Sequence, residues 1–172
     1  MRRHIVLVGL PGSGKSVVGG LVAARLETSL VDVDLVIEQH AGMSVARIFS
    51  ERGESWFREQ ERAEVAGALT CDACVIAPGG GWAAHGDNLA EALDVALVVY
   101  LRTDPREAAG RLGTDHGRPL LTQRDPVRSM TELLGRRSEF YERTRHVVVT
   151  DGRRVETIAE EVVALARSRA GW

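Results

Sequence analysis

Lysine is almost missing from this 172-residue chain: of 22 basic residues, 21 are arginine and one is Lys15. Asparagine also occurs once, at Asn88. Ala, Val, Gly and Arg are plentiful, which fits a coding bias toward arginine; under such a bias a surviving lysine marks a place where arginine does not serve. Cysteine is scarce. Cys71 and Cys74 alone exclude a disulfide framework. Their C-x-x-C pair precedes a strand instead of opening a helix and has no second ligand pair, which disfavours redox and zinc roles. No stretch approaches the roughly 18 apolar residues of a membrane span. The run after Met1-Arg2-Arg3 is short and ends in glycine, so it reads as a strand, not a signal peptide. Neither charge sign dominates, with a net of −2, so no footprint for nucleic acid or an anionic membrane exists. The expectation is a reduced, cytoplasmic protein acting on small molecules as a monomer. The ordinary share of apolar residues, 44%, suits one compact domain over residues 1–172.

Strand and helix patterns alternate along the chain. Buried-strand runs are predicted at His4–Val8, Leu30–Val33, Cys74–Ala77, Val95–Leu101 and His146–Val149. Helical patterns fall at Lys15–Leu26, Asp34–His40, Ser44–Arg52, Glu54–Leu69, Asp87–Leu93, Pro105–Leu112, Pro126–Glu142 and Arg154–Arg169. Repeated strand–helix–strand units imply an α/β protein, a three-layer α/β/α sandwich on a mostly parallel sheet. Residues 113–125 break the pattern and read as an excursion, not a boundary.

Gly9-Leu10-Pro11-Gly12-Ser13-Gly14-Lys15-Ser16 matches G-x-x-x-x-G-K-[ST] between a strand and a helix. Its glycines turn backbone N–H groups onto phosphate oxygens, and the helix that follows adds its N-terminal dipole. Gly12, Ser13, Gly14, Lys15, Ser16 and Val17 therefore form the expected nucleotide-contacting run. Lys15 suits the β/γ-phosphates, and the Ser16 hydroxyl suits Mg²⁺. With Lys15 the sole lysine, no N-K-x-D guanine-reading motif exists, and no Asp-Glu dipeptide of the motor-ATPase kind occurs. Small kinases remain.

Asp32 and Asp34 end the second strand, where ligands gather in open α/β sheets. Alternation points both to one side if the strand persists that far. One acid can hold Mg²⁺ through water while the other accepts a hydroxyl proton; Asp34 can instead cap the next helix. Arg58 can clamp a substrate carboxylate or simply pair with Glu61 along a helix. Gly79-Gly80-Gly81 follows the third strand and permits close ligand approach, or serves as a flexible turn. Arg118, in the excursion, can close over a transferring phosphoryl group. Spacing alone leaves Arg136 and Arg137 uninterpreted.

Together these residues resemble the shikimate kinases from end to end. The motifs are the phosphate loop, Asp32-x-Asp34, Gly53-Glu54, Phe57-Arg58-x-x-Glu61, Gly79–Gly81, Arg118-Pro119-Leu120-Leu121 and Arg137-x-x-x-Tyr141. The resemblance implies a five-stranded parallel sheet in order 2-3-1-4-5, of the nucleoside-monophosphate-kinase type. A substrate region would span about residues 34–61, and a lid about 112–125. The implied activity is transfer of the γ-phosphoryl of ATP to the 3-hydroxyl of shikimate, with Mg²⁺, in aromatic amino-acid biosynthesis. Asp34 would be the base, with Lys15 and Arg118 stabilising the transferring group. Arg58 and Arg137 would clamp the carboxylate, and Gly79, Gly80 and Gly81 would meet the ring hydroxyls. Ser16 and Asp32 would hold the metal. Arg111, with Arg154 or Arg153, would flank adenine. The alternatives are a gluconate-type sugar-acid kinase and a slowly hydrolysing nucleotide-binding regulatory module.

Overall fold

A computed structural model describes residues 1–112 and 125–172. The apolar run His4–Val8 forms β1, buried along its whole length at the centre of the sheet. β-branched residues without polar alternation suit a strand covered on both faces. β1 pairs in parallel with β3 (Val75–Ala77) and β4 (Ala96–Arg102), placing Val6 beside Ile76 and Val98. β2 (Leu30–Asp32) and β5 (His146–Val149) complete the sheet in the order β2-β3-β1-β4-β5. That is the order the resemblance implies.

Alternation along the central strands divides the core. Val6, Val8, Val98 and Tyr100 face one layer, against Phe57 and Val65 of α3 (Val45–Leu69), Leu89 of α4 (Asn88–Val95) and Met130 and Tyr141 of α6 (Pro126–Tyr141). Ile5, Leu7, Leu97 and Val99 face the other, against Val18 and Val22 of α1 (Lys15–Arg25) and Ile158 and Val162 of α7 (Val155–Arg169). Each such side chain contributes about 1.5–3 kcal/mol on full burial. The other α-helices among the described residues are α2 (Val33–Ala41) and α5 (Pro105–Leu112).

Two local features depart from simple helix rules and shape the site. Gly53, at φ 82° and ψ 166°, interrupts α3. Only glycine takes that conformation without strain, and it divides the run where the two patterns Ser44–Arg52 and Glu54–Leu69 meet. β2 stops at Asp32, one residue before the predicted end, because Asp32 is already the N-cap of α2 and accepts from the Leu35 N–H at 3.4 Å. Asp34 therefore lies in the first turn of α2 and is neither a strand residue nor the cap. Arg118 and nearly all of the region read as a lid fall outside the described residues.

Candidate active site

The carboxyl ends of β1, β2 and β3 open on one cleft of about 420 Å³. The phosphate loop forms its floor. Gly12 and Gly14 sit at φ 78° and 91°, and a side chain at Gly12 would strike the Ala108 carbonyl. The Ser13 N–H donates to Leu10 O at 3.1 Å, tightening the turn. Lys15 is nearly buried, and its ammonium donates to the carbonyl oxygens of Gly9 and Leu10 at 3.0 and 2.9 Å. Ser16 and Val17, in the first turn of α1, are exposed and line the cleft.

Asp32 and Asp34 line the same cleft. They meet there from the cap and first turn of α2, not by strand alternation. Asp32 and Ser16 offer hard oxygen donors on one wall. Two protein oxygens suit Mg²⁺, which keeps waters and binds through few carboxylates plus substrate phosphates.

The triple glycine is packed by charge. A methyl group at Gly79 would press on the Glu61 carboxylate and lie 3.1 Å from Asp34 Oδ1. At Gly80 it would meet Pro11 and stand 3.2 Å from Arg137 Nη1, and at Gly81 it would overlap the Arg58 guanidinium. Charged groups thus crowd Gly79 and Gly81, and Pro11 crowds Gly80 most closely, so a side chain anywhere in the run would displace a neighbour. Arg58 is buried and held on both sides: Nη1 donates to Glu61 Oε2 at 2.7 Å, and Nη2 to Glu54 Oε1 at 3.1 Å. Burial works against the Arg58 charge, but Glu61 and Glu54 outweigh it and hold the guanidinium above its ordinary value. Glu61 is 1% exposed. Burial pushes its carboxyl up, Arg58 opposes the rise, and nearby Asp34 adds to it.

Arg137 is also buried, on α6. One turn later the Tyr141 hydroxyl donates to the Gly80 carbonyl, while its ring stacks on Tyr100 at 4.9 Å. Burial lifts the Tyr141 pKa to about 12 against the pull of Arg137, so the phenol remains a donor.

At the far end of the cleft, Arg111 donates to the hydroxyl and carbonyl of Thr150, each at 3.0 Å. Arg153 lines the cleft beside it, fixed by Val149 O at 2.8 Å and Glu161 at 2.8 Å. Arg154 does not line it: its side chain is 83% exposed and pairs with Glu156. Of the two candidates, the structure puts Arg153 at the cleft.

A family model described as shikimate kinase matches residues 11–167. The chain belongs to the shikimate kinase family. A shikimate kinase from Moorella thermoacetica is 40% identical over 162 residues, 94% of this chain and 93% of the relative. One from Symbiobacterium thermophilum is 38% identical over 169 residues, 96% of this chain and 97% of the relative. A solved shikimate kinase from Acinetobacter baumannii, in complex with shikimate, superposes with a TM-score of 0.93 at 30% identity, covering 98% of this chain and 94% of that one. A gluconokinase from Sinorhizobium meliloti shares the fold, with a TM-score of 0.60 at 18% identity, covering 99% of this chain and 94% of that one.

In the sequence of this shikimate kinase family member, Glu61 reads only as a helix partner of Arg58, and Glu54 and Tyr141 carry no individual role. The spacing of Arg58 to Glu61 signals a pair, but nothing in the charged α3 sequence signals its burial. Pro11 packs on Gly80, a contact that its place in the phosphate loop does not signal.

Proposed function

We propose that this chain transfers the γ-phosphoryl group of ATP to the 3-hydroxyl of shikimate, giving shikimate 3-phosphate and ADP. The observation that carries this reading is the gathering of one carboxylate, Asp34, and two buried guanidinium groups, Arg58 and Arg137, around a triple glycine beside a phosphate loop. A carboxylated polyol needs those groups: guanidinium forks for its carboxylate, and a carboxylate and open backbone for its hydroxyls. Family membership and the shikimate-bound relative support the same substrate.

In this reading Arg58 and Arg137 clamp the substrate carboxylate, with Glu61 and Glu54 holding Arg58 in place. Gly79, Gly80 and Gly81 let the ring approach the backbone. Asp34 orients the 3-hydroxyl and takes its proton as that oxygen bonds to the γ-phosphorus and the β–γ bridging bond breaks. Gly12 to Val17 hold the phosphates through backbone N–H groups and the α1 dipole. Lys15, released from the carbonyls of Gly9 and Leu10, and Arg118 offset charge on the transferring group. Ser16 and, through water, Asp32 would hold Mg²⁺. Bound there, the ion would neutralise the β- and γ-phosphates. Arg111 and Arg153 would flank adenine. The same reading has the enzyme act as a monomer in the cytoplasm. No helix among the described residues is long and apolar enough to cross a membrane.

Coupled ADP release tests the reading. Release should be fast with shikimate and near the blank with gluconate or no acceptor. Release with gluconate alone would move the chain to the sugar-acid kinases. Equal slow release in all three would make it a nucleotide-hydrolysing module.

A further inference from the structure

The sheet has a notch at the rim opposite the nucleotide cleft. β5 begins late: its first residue, His146, is in register with Val99, so Ala96, Leu97 and Val98 of β4 are paired with β1 but not with β5. A cavity of about 740 Å³ fills the notch, within the size range of small-molecule sites. It lies the length of β4 from the phosphate loop, about 20 Å at strand rise. Its walls are strongly cationic. Arg143 and Arg145 enter from the segment before β5, Arg169 from the end of α7, and Arg3 from before β1. Asp94 is the only acid lining it among the described residues.

Arg3 is anchored, donating to Ala96 O at 2.9 Å and reaching the last carbonyls of α4. Arg143, Arg145 and Arg169 are exposed around the notch and have no carboxylate partner among the described residues, as also holds for other surface arginines such as Arg52, Arg106 and Arg167; what sets the three apart is that they converge on one cavity. His146 reports the resulting field. Burial lowers its pKa, and Arg169 and Arg145 lower it further. The opposite wall is apolar, from Ala90 and Leu93.

We propose that this notch is a binding site for a small organic polyanion, one carrying at least two phosphate or carboxylate groups. Its anionic groups meet the forks of Arg143, Arg145 and Arg169, and its carbon skeleton rests on Leu93. Guanidinium forks match both oxyanions bidentately, and three like charges around one cavity are stabilised by an anion between them. The site does not depend on the reaction at the other end of the sheet.

The test uses the full chain with the phosphate loop filled by saturating ADP. Inorganic pyrophosphate and, in a second arm, citrate are titrated while the His146 imidazole is followed by NMR. The probe should raise the His146 pKa, by removing the cationic repulsion, and bind with a sub-millimolar dissociation constant that weakens as salt screens the charges. Arg143→Ala and Arg145→Ala should each weaken binding about tenfold, the scale of a lost charge-assisted hydrogen bond, and leave ADP release with shikimate unchanged. Arg145→Lys should recover part of the affinity. A response to pyrophosphate alone assigns a phosphorylated ligand; a response to citrate as well extends the class to polycarboxylates. No movement of His146 with either probe overturns the site, as does affinity undiminished in the double variant Arg143→Ala/Arg145→Ala.

Discussion

The Tyr141 hydroxyl donates to the carbonyl oxygen of Gly80. This bond ties the last turn of α6, which also carries Arg137, to the glycines beside the cleft. Tyr141 touches no substrate in the proposed reaction; it positions the backbone that does. Tyr141→Phe keeps the stack on Tyr100 and removes only the hydroxyl. A lost buried hydrogen bond costs about 1–1.5 kcal/mol. KM for shikimate should rise about five- to tenfold while KM for ATP stays within about twofold. Equal changes in both constants, measured by steady-state kinetics, would show a general loosening of the fold instead.

Asp34 opens on the cleft from the first turn of α2, close to Gly79. Asp34→Asn preserves its shape and removes its charge and its capacity to take a proton. A general base contributes about 100-fold or more, so kcat should fall by at least about that factor while ATP affinity holds. Unchanged turnover would remove Asp34 from the role of base.

Much of this arrangement is legible before any coordinates. Five apolar runs mark the strands; the inner three, β3, β1 and β4, are buried because a parallel sheet is covered on both faces, whereas the edge strands β2 and β5, also expected to be buried, are only partly covered. The phosphate loop is legible because its chemistry permits few residues. Errors arise where one residue of phase decides the outcome. Asp32 and Asp34 both have cap-forming side chains, and only backbone geometry selects Asp32. Arg153 and Arg154 are adjacent, and the start of α7 turns one into the cleft and the other to solvent. The 3₁₀ turn Trp82–Ala84 carries no periodic signal, and it buries Trp82 where a flexible tip would leave it exposed. The burial of Glu61 is equally silent, because its neighbours on α3 are the charged residues of an ordinary solvated helix.

The single lysine sits where its shape counts. The Lys15 ammonium reaches two carbonyls of its own loop, 2.9 and 3.0 Å away, in a space bounded by backbone. A guanidinium is planar, wider and forked, and cannot occupy the same point between backbone groups. Lys15→Arg keeps the charge, yet kcat should fall by more than about 100-fold, with the melting temperature little changed. Near-normal turnover would mean that charge alone suffices, leaving the scarcity of lysine purely compositional.

His4, at the amino end of β1, makes stability depend on pH. Its Nδ1 accepts from the Cys74 N–H at 3.3 Å, which only an unprotonated nitrogen can do. Burial lowers the His4 pKa from 6.5, with the carbonyls of Leu69 and Cys71 partly opposing. The unfolded chain therefore takes up a proton near pH 6.5 that the folded chain refuses. Since the unfolded state binds more protons in that window, stability falls as pH drops from about 6.5 through the lower folded value, and the loss is complete below it. His146, also lowered, adds in the same direction. The urea midpoint should accordingly be lower at pH 5.5 than at pH 7.5. His4→Asn supplies a non-titrating acceptor for Cys74 and should flatten the dependence without abolishing it, because His146 remains. An identical slope in the variant and the parent would place the acid sensitivity elsewhere in the chain.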